Sequence, residues 1–115
     1  MKVTIYHNPR CSKSRQTLEL LGSQGIRPEI IEYLKTPPDR STLKNILKLL
    51  NMKPRDLIRK QESIYREAVL DDDSLHDDQL LDAMLEHPVL IERPIVLANG
   101  KARIGRPPES VLEIL

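Results

Sequence analysis

The 115-residue chain has a single cysteine, Cys11, in the run His7-Asn8-Pro9-Arg10-Cys11-Ser12-Lys13-Ser14-Arg15. Burial among apolar side chains is what makes a cysteine inert, whereas the neighbours here include His7, Asn8, Arg10, Ser12, Lys13 and Ser14. The reactive species is the thiolate. A cysteine at the start of a helix meets the unpaired N–H groups of the first turn and their partial positive charge. Such a position lowers the thiol pKa from about 8.5 into a range of roughly 3.5–7.5. The same N–H groups can cradle an oxyanion. Arg10 and Arg15 flank the cysteine and Lys13 adds a further charge. His7, four residues upstream, can polarise the thiolate or make a structural hydrogen bond, since its intrinsic pKa of about 6.5 permits either. In the pattern C-S-K-S, Ser14 stands where a C-x-x-C redox pair has its second cysteine. Serine cannot resolve a mixed disulfide, so redox chemistry at Cys11 requires an external thiol, and glutathione is the cytosolic candidate.

The elements that must position this cysteine are readable around it. Lys2 to Tyr6 reads as a short strand, with Val3 and Ile5 on one side. Asn8-Pro9 ends it. Ser12 to Gln24 reads as a helix with Thr17, Leu18, Leu20 and Leu21 on its buried side, and Glu29 to Leu34 as a second strand. Strand, helix and strand within about 30 residues fit a right-handed parallel βαβ unit. Thr36-Pro37-Pro38 closes it. Ser41 can cap a helix carrying Leu43, Ile46, Leu47 and Leu50. Pro54 suits the first turn of a short helix, Ile64 to Leu70 reads as helical, and Ser74 with Asp77 resembles a capping box before Leu80, Leu81, Met84 and Leu85. Asn99-Gly100 between Ile95–Ala98 and Lys101–Gly105 is a strong hairpin signal. Pro107-Pro108 starts a last helix with Val111, Leu112, Ile114 and Leu115 inward. The expected fold is α/β and thioredoxin-like. It combines βαβ with ββα in a mixed four-stranded sheet, as a single domain over 1–115 with a helical insert at about 40–87.

Bulk properties narrow the function classes. Phe and Trp are absent and Tyr occurs three times, so the core is aliphatic. Eighteen Lys and Arg against seventeen Asp and Glu leave a net charge of +1, which argues against bulk attraction to nucleic acid or membrane. One cysteine excludes an intrachain disulfide and fits a reducing compartment, so a cytoplasmic location is expected. The N-terminal residues lack a signal-peptide stretch, and no apolar run approaches the roughly 20 residues of a membrane span. Three scattered histidines and one cysteine show no zinc spacing, so no metal site is expected. Size and charge balance suit a monomer.

Five ordered segments, VTIYHNPRCSKSR, EYLKTPP, LIRK, HPVLIERPIV and GRPPESVLEIL, resemble the glutathione/glutaredoxin-coupled arsenate reductases over nearly the whole chain. The resemblance implies a thioredoxin-like fold with a helical insert. It also implies a site of Cys11 with three arginines: Arg59 in LIRK, Arg93 in ERPIV and Arg106 in GRPPE, with His7 as the family's histidine. It further implies a cis-proline facing the cysteine, expected at Arg93–Pro94. Arsenate carries about one to two negative charges near neutral pH by analogy with phosphate. The planar, always-protonated guanidinium suits such an anion better than lysine does. The implied partners are arsenate, glutathione as co-substrate and glutaredoxin, with no tightly bound cofactor. Arg10 and Lys13 stand where the best-known members carry small residues. Two other readings use the same fold: a glutathione-dependent thiol reductase with another substrate, and an Spx-like regulator that binds RNA polymerase. The regulators usually carry C-x-x-C and lack the full arginine set.

Overall fold

In a computed structural model, residues 2–115 are described. The chain forms two compact units: Met1–Thr36 with Arg93–Leu115, and Pro37–Glu92.

The first unit is built on a four-stranded sheet. Its strands are β1 (Val3–His7), β2 (Glu29–Glu32), β3 (Ile95–Ala98) and β4 (Lys101–Ile104), in the order β2-β1-β3-β4. β1 runs parallel to β2, pairing Thr4 with Glu29 and His7 with Glu32, and antiparallel to β3, pairing Val3 with Ala98. β1 is buried along its whole length, as a central strand should be, so Thr4 and Tyr6 are covered as well as Val3 and Ile5. Helix α1 (Ser12–Ser23) and a 3-10 segment at Pro108–Ile114 supply the apolar cover. Leu21, Val111 and Ile114 pack with Val3, Ile5, Val96 and Ala98. The Asn99-Gly100 turn joins β3 to β4 with both residues at positive φ (54° and 71°), the geometry that favours this dipeptide. Asn99 also donates from Nδ2 to the Ile114 carbonyl at 2.8 Å, tying the hairpin to the C-terminal segment.

Several boundaries differ from the expectation. β2 stops at Glu32, because the chain turns there: both Lys35 and Thr36 donate to the Glu32 carbonyl at 2.9 Å. The final segment is a 3-10 turn rather than an α-helix, and Leu112 points outward with 40 % exposure. The Arg93–Pro94 peptide is cis, as expected, and so is Arg106–Pro107. Gly105 lies where a Cβ would collide with the Thr17 hydroxyl and approach Pro94 Cγ to 2.8 Å. Only glycine therefore lets the strand leading to Arg106 lie against both α1 and Pro94.

The second unit is helical. α2 (Arg40–Leu50) buries Leu43, Ile46 and Leu47; α3 (Pro54–Leu57), α4 (Ser63–Glu67) and α5 (Asp77–Glu86) follow. The cap of α2 is Asp39, not Ser41: the Asp39 carboxylate accepts from the Thr42 N–H at 2.8 Å, and Ser41 donates to the same carboxylate at 3.0 Å. α5 likewise starts after His76, whose N–H donates to Gln79 Oε1 at 2.7 Å, while Ser74 bonds back to Asp72. α4 ends three residues before the expected Leu70, and Val69 follows at φ 55°. The irregular stretch after it is gathered by Arg55. Its guanidinium donates to Tyr65 Oη at 3.0 Å, to the Leu70 carbonyl, and to the Asp72 carbonyl at 2.9 Å. No described helix is long and apolar enough to cross a membrane.

Candidate active site

The turn between β1 and α1 holds the cysteine. Asn8 Oδ1 accepts from the Arg10 N–H at 3.0 Å, and the Asn8 carbonyl accepts from the Cys11 N–H at 3.0 Å. Arg15 reaches back from α1 to donate to the Pro9 carbonyl at 3.0 Å. Two side-chain bonds and one backbone bond thus fix the loop that leads from β1 into Cys11. Cys11 is the N-cap of α1 in an extended conformation (φ −92°, ψ 123°), and no acidic residue occupies the first turn. The sulfur itself therefore sits where a capping anion belongs.

Cys11 is buried at 8 % exposure, yet its sulfur faces polar groups. Arg106 Nη2 lies 3.4 Å from Sγ, and the same guanidinium donates from Nε to the Arg93 carbonyl at 2.8 Å. Burial pushes the Cys11 pKa up. The Ser14 backbone N–H, the hydrogen bond and charge of Arg93, and the charge of Arg106 together outweigh it and hold the thiol below its ordinary value. The anion is thus more favoured than in an ordinary cysteine, and the groups that favour it are of the kind that bind an incoming oxyanion.

This shift has a direct readout. Alkylation of Cys11 by iodoacetamide should rise with pH through the thiol pKa and level off below the inflection of an ordinary cysteine at about 8.5. Arg106→Ala removes a cation that stabilises the anion, so the inflection should move upward. A wild-type profile indistinguishable from a free cysteine would contradict the geometry.

His7 is tied to the cysteine loop through Ser14. Its Nδ1 lies 2.6 Å from Ser14 Oγ, which also accepts from the Asn8 N–H at 3.0 Å. Burial is the main influence on His7 and lowers its pKa; Glu32 raises it and Arg15 lowers it, with a net shift downward. A neutral imidazole can accept the Ser14 hydroxyl proton at Nδ1. Ser14 thus joins three parts of the loop: its hydroxyl holds His7 and Asn8, and its N–H faces Cys11. The C-S-K-S pattern by itself marks Ser14 only as the missing second cysteine of a C-x-x-C pair. Its place at the third position of the helix after Cys11 was the available signal. Ser14 is fully buried, so Ser14→Ala strands two polar groups. The expected cost is about 1–3 kcal/mol, read as a lower denaturation midpoint; an unchanged midpoint would show that the loop does not depend on the hydroxyl.

Of the residues implied by the resemblance, Cys11, His7, Arg93 and Arg106 all belong to the first unit, and Arg93 and Arg106 both act on the sulfur. Arg59 belongs to the second unit. There it is 8 % exposed and forms ion pairs with Glu62 (Nε–Oε2 3.1 Å) and Glu92 (Nη1–Oε1 2.6 Å). Its backbone is fixed by the Ile58–Ile91 bridge: the Arg59 N–H donates to the Leu90 carbonyl at 2.7 Å, and the Glu92 N–H to the Leu57 carbonyl at 3.1 Å. Burial alone would lower the Arg59 pKa, but the two carboxylates raise it above the ordinary value. Two acidic neighbours hold this guanidinium rigid and reduce its free charge.

The chain is similar to known proteins over nearly its whole length. Residues 6–114 match the model of the ArsC family. The chain is 57 % identical to the uncharacterized protein YfgD of Escherichia coli K12, over 99 % of this chain and 97 % of that one. It is 50 % identical to an arsenate reductase of Neisseria meningitidis, over 99 % and 98 % of the two chains. The solved structure of an arsenate reductase from Vibrio cholerae superposes with a TM-score of 0.97 at 56 % identity, covering 100 % of this chain and 98 % of that one. A thiolate at a helix start, two guanidinium groups on its sulfur, and a match that runs from β1 to the C-terminal turn lead to one conclusion: the chain belongs to the ArsC family, with its thioredoxin-like fold.

Proposed function

We propose that this protein reduces arsenate to arsenite, using Cys11 as nucleophile and glutathione as the thiol that completes the cycle. The observation that carries the reading is the Cys11 sulfur faced by the Ser14 N–H, Arg93 and Arg106. These groups stabilise a thiolate before reaction and would stabilise the added negative charge when an arsenate oxygen takes the same position. Arg59 joins the reading as the third arginine of the family resemblance.

The steps balance as follows. The Cys11 thiol and dihydrogen arsenate form an S–As bond and lose one water, leaving arsenic at +5. A glutathione thiol adds to arsenic with loss of a second water. The two sulfurs then couple as a Cys11–glutathione disulfide while arsenic leaves as AsO2−, which takes up one water to give arsenite. The two thiols lose two electrons and arsenic falls to +3. Thiol exchange with a glutaredoxin frees Cys11. The requirement for outside thiols follows from the absence of a second cysteine in the chain. Glutathione supply fits a cytoplasmic protein.

The test couples arsenate reduction to NADPH oxidation through glutathione, glutaredoxin and glutathione reductase, with phosphate and selenate run beside arsenate. Arsenate-dependent oxidation that requires the protein supports the reading. No arsenate-dependent rate at any glutathione concentration would overturn it.

A further inference from the structure

A cleft of about 310 Å³ opens beside the cysteine loop, lined by His7, Asn8, Pro9 and Arg10 on one side and by Glu32, Leu34 and Lys35 on the other. His7 and Asn8 belong to the hydrogen-bond set of the cysteine loop, whereas Arg10, Glu32, Leu34 and Lys35 make no contact with the sulfur that the site uses. The volume falls at the lower end of small-molecule sites. Its walls carry two cations, Arg10 and Lys35, one anion, Glu32, and an apolar strip from Pro9 and Leu34. Leu34 is 43 % exposed, so its side chain is available to a ligand in the cleft. Glu32 sits at the end of β2, opposite His7, and the turn bonds from Lys35 and Thr36 to its carbonyl set the direction of the Lys35 side chain's backbone.

We infer that this cleft binds the peptide thiol that resolves the Cys11 adduct, with Arg10 and Lys35 taking its carboxylates and Glu32 its ammonium group. The inference rests on the proposed reaction for the identity of that thiol. Glutathione carries two carboxylates, one ammonium and a central thiol, which matches two cations and one anion around an apolar strip. A tripeptide extends to about 10 Å, and Arg10 is one Cα step of about 3.8 Å from Cys11. A ligand anchored along the cleft can therefore turn its central sulfur to the site. Lys35 Nζ now lies 3.6 Å from Glu32 Oε1, with both side chains well exposed. Such a pair contributes little and opens readily when each partner gains a counter-charge of its own.

The probe is S-methylglutathione, which cannot react with Cys11, titrated into the intact protein by amide NMR. Shifts concentrated at Asn8, Arg10 and Glu32–Lys35 support the site, whereas shifts confined elsewhere overturn it. In steady-state assays, Lys35→Glu should raise KM for glutathione about tenfold relative to KM for dithiothreitol, which has no charges for the cleft to read. An equal effect on the two thiols would overturn the assignment. The two proposals fail separately. Binding of S-methylglutathione without arsenate turnover would remove the reaction and keep the cleft; arsenate turnover with an unshifted cleft would do the reverse.

Discussion

Cys11→Ser should reduce arsenate turnover by at least about 10³-fold while leaving the fold intact. The change replaces one atom. Serine is a strong N-cap, so the start of α1 loses nothing and the Asn8–Cys11 backbone bond remains. What disappears is the ionisable sulfur. The Ser14 N–H, Arg93 and Arg106 together hold the thiol pKa below its ordinary value, but a hydroxyl starts far too high for the same groups to ionise it. Serine also cannot give up electrons to arsenic through disulfide formation. The measurement is the coupled NADPH assay beside a thermal melt. An unchanged melt with turnover near wild type would mean that glutathione alone attacks arsenate, with the protein acting only as an anion cradle.

The parts of this molecule that were legible in the sequence are those where a local rule and the tertiary structure agree. Asn99-Gly100 marks its turn because both positions need positive φ, a requirement visible in the residue types alone. The β1–turn–α1 sequence is marked by Asn8-Pro9 and by the change of hydrophobic period on either side. The caps of α2 and α5 were misplaced by two residues because Asp39 and Ser41, or Ser74 and His76, are nearly equivalent as local signals. Only the backbone path decides which carboxylate or hydroxyl faces the free N–H groups. The early end of α4 depends on Arg55 drawing together three acceptors spread over residues 65–72, a long-range effect that no window of sequence reveals.

The candidate site divides in the same way. Cys11 was found from its neighbours and from being the sole cysteine. Arg93 and Arg106 had no local mark, since an arginine beside a proline is ordinary; the family motif singled them out. Gly105 and Ser14 carry equal structural weight yet were not singled out as positioning residues. Gly105 matters because Thr17 and Pro94 crowd it, and Ser14 because three loop groups converge on it. These are properties of convergence in space, and sequence spacing does not contain them.

Arg93→Ala is the substitution among the arginines with the largest expected loss. Arg93 hydrogen-bonds the Cys11 sulfur and acts on it by charge, and its influence on the thiol pKa ranks above that of Arg106, whose Nη2 reaches the same sulfur at 3.4 Å. Removing the Arg93 side chain leaves its backbone carbonyl in place, so the bond from Arg106 Nε survives and the second guanidinium keeps its anchor. The variant therefore isolates one donor. Loss of a preorganised donor to a developing oxyanion costs about 10²–10³ in rate, and kcat/KM for arsenate should fall by that factor. The alkylation inflection of Cys11 should rise at the same time, because the anion loses a hydrogen bond and a neighbouring charge. Arg93→Lys separates the two effects. It keeps the charge and should restore much of the thiolate character, but an ammonium lacks the planar fork, so kcat/KM should stay well below wild type. If Arg93→Lys recovers both quantities together, Arg93 serves only as a charge beside the sulfur and the oxyanion must be held by other groups.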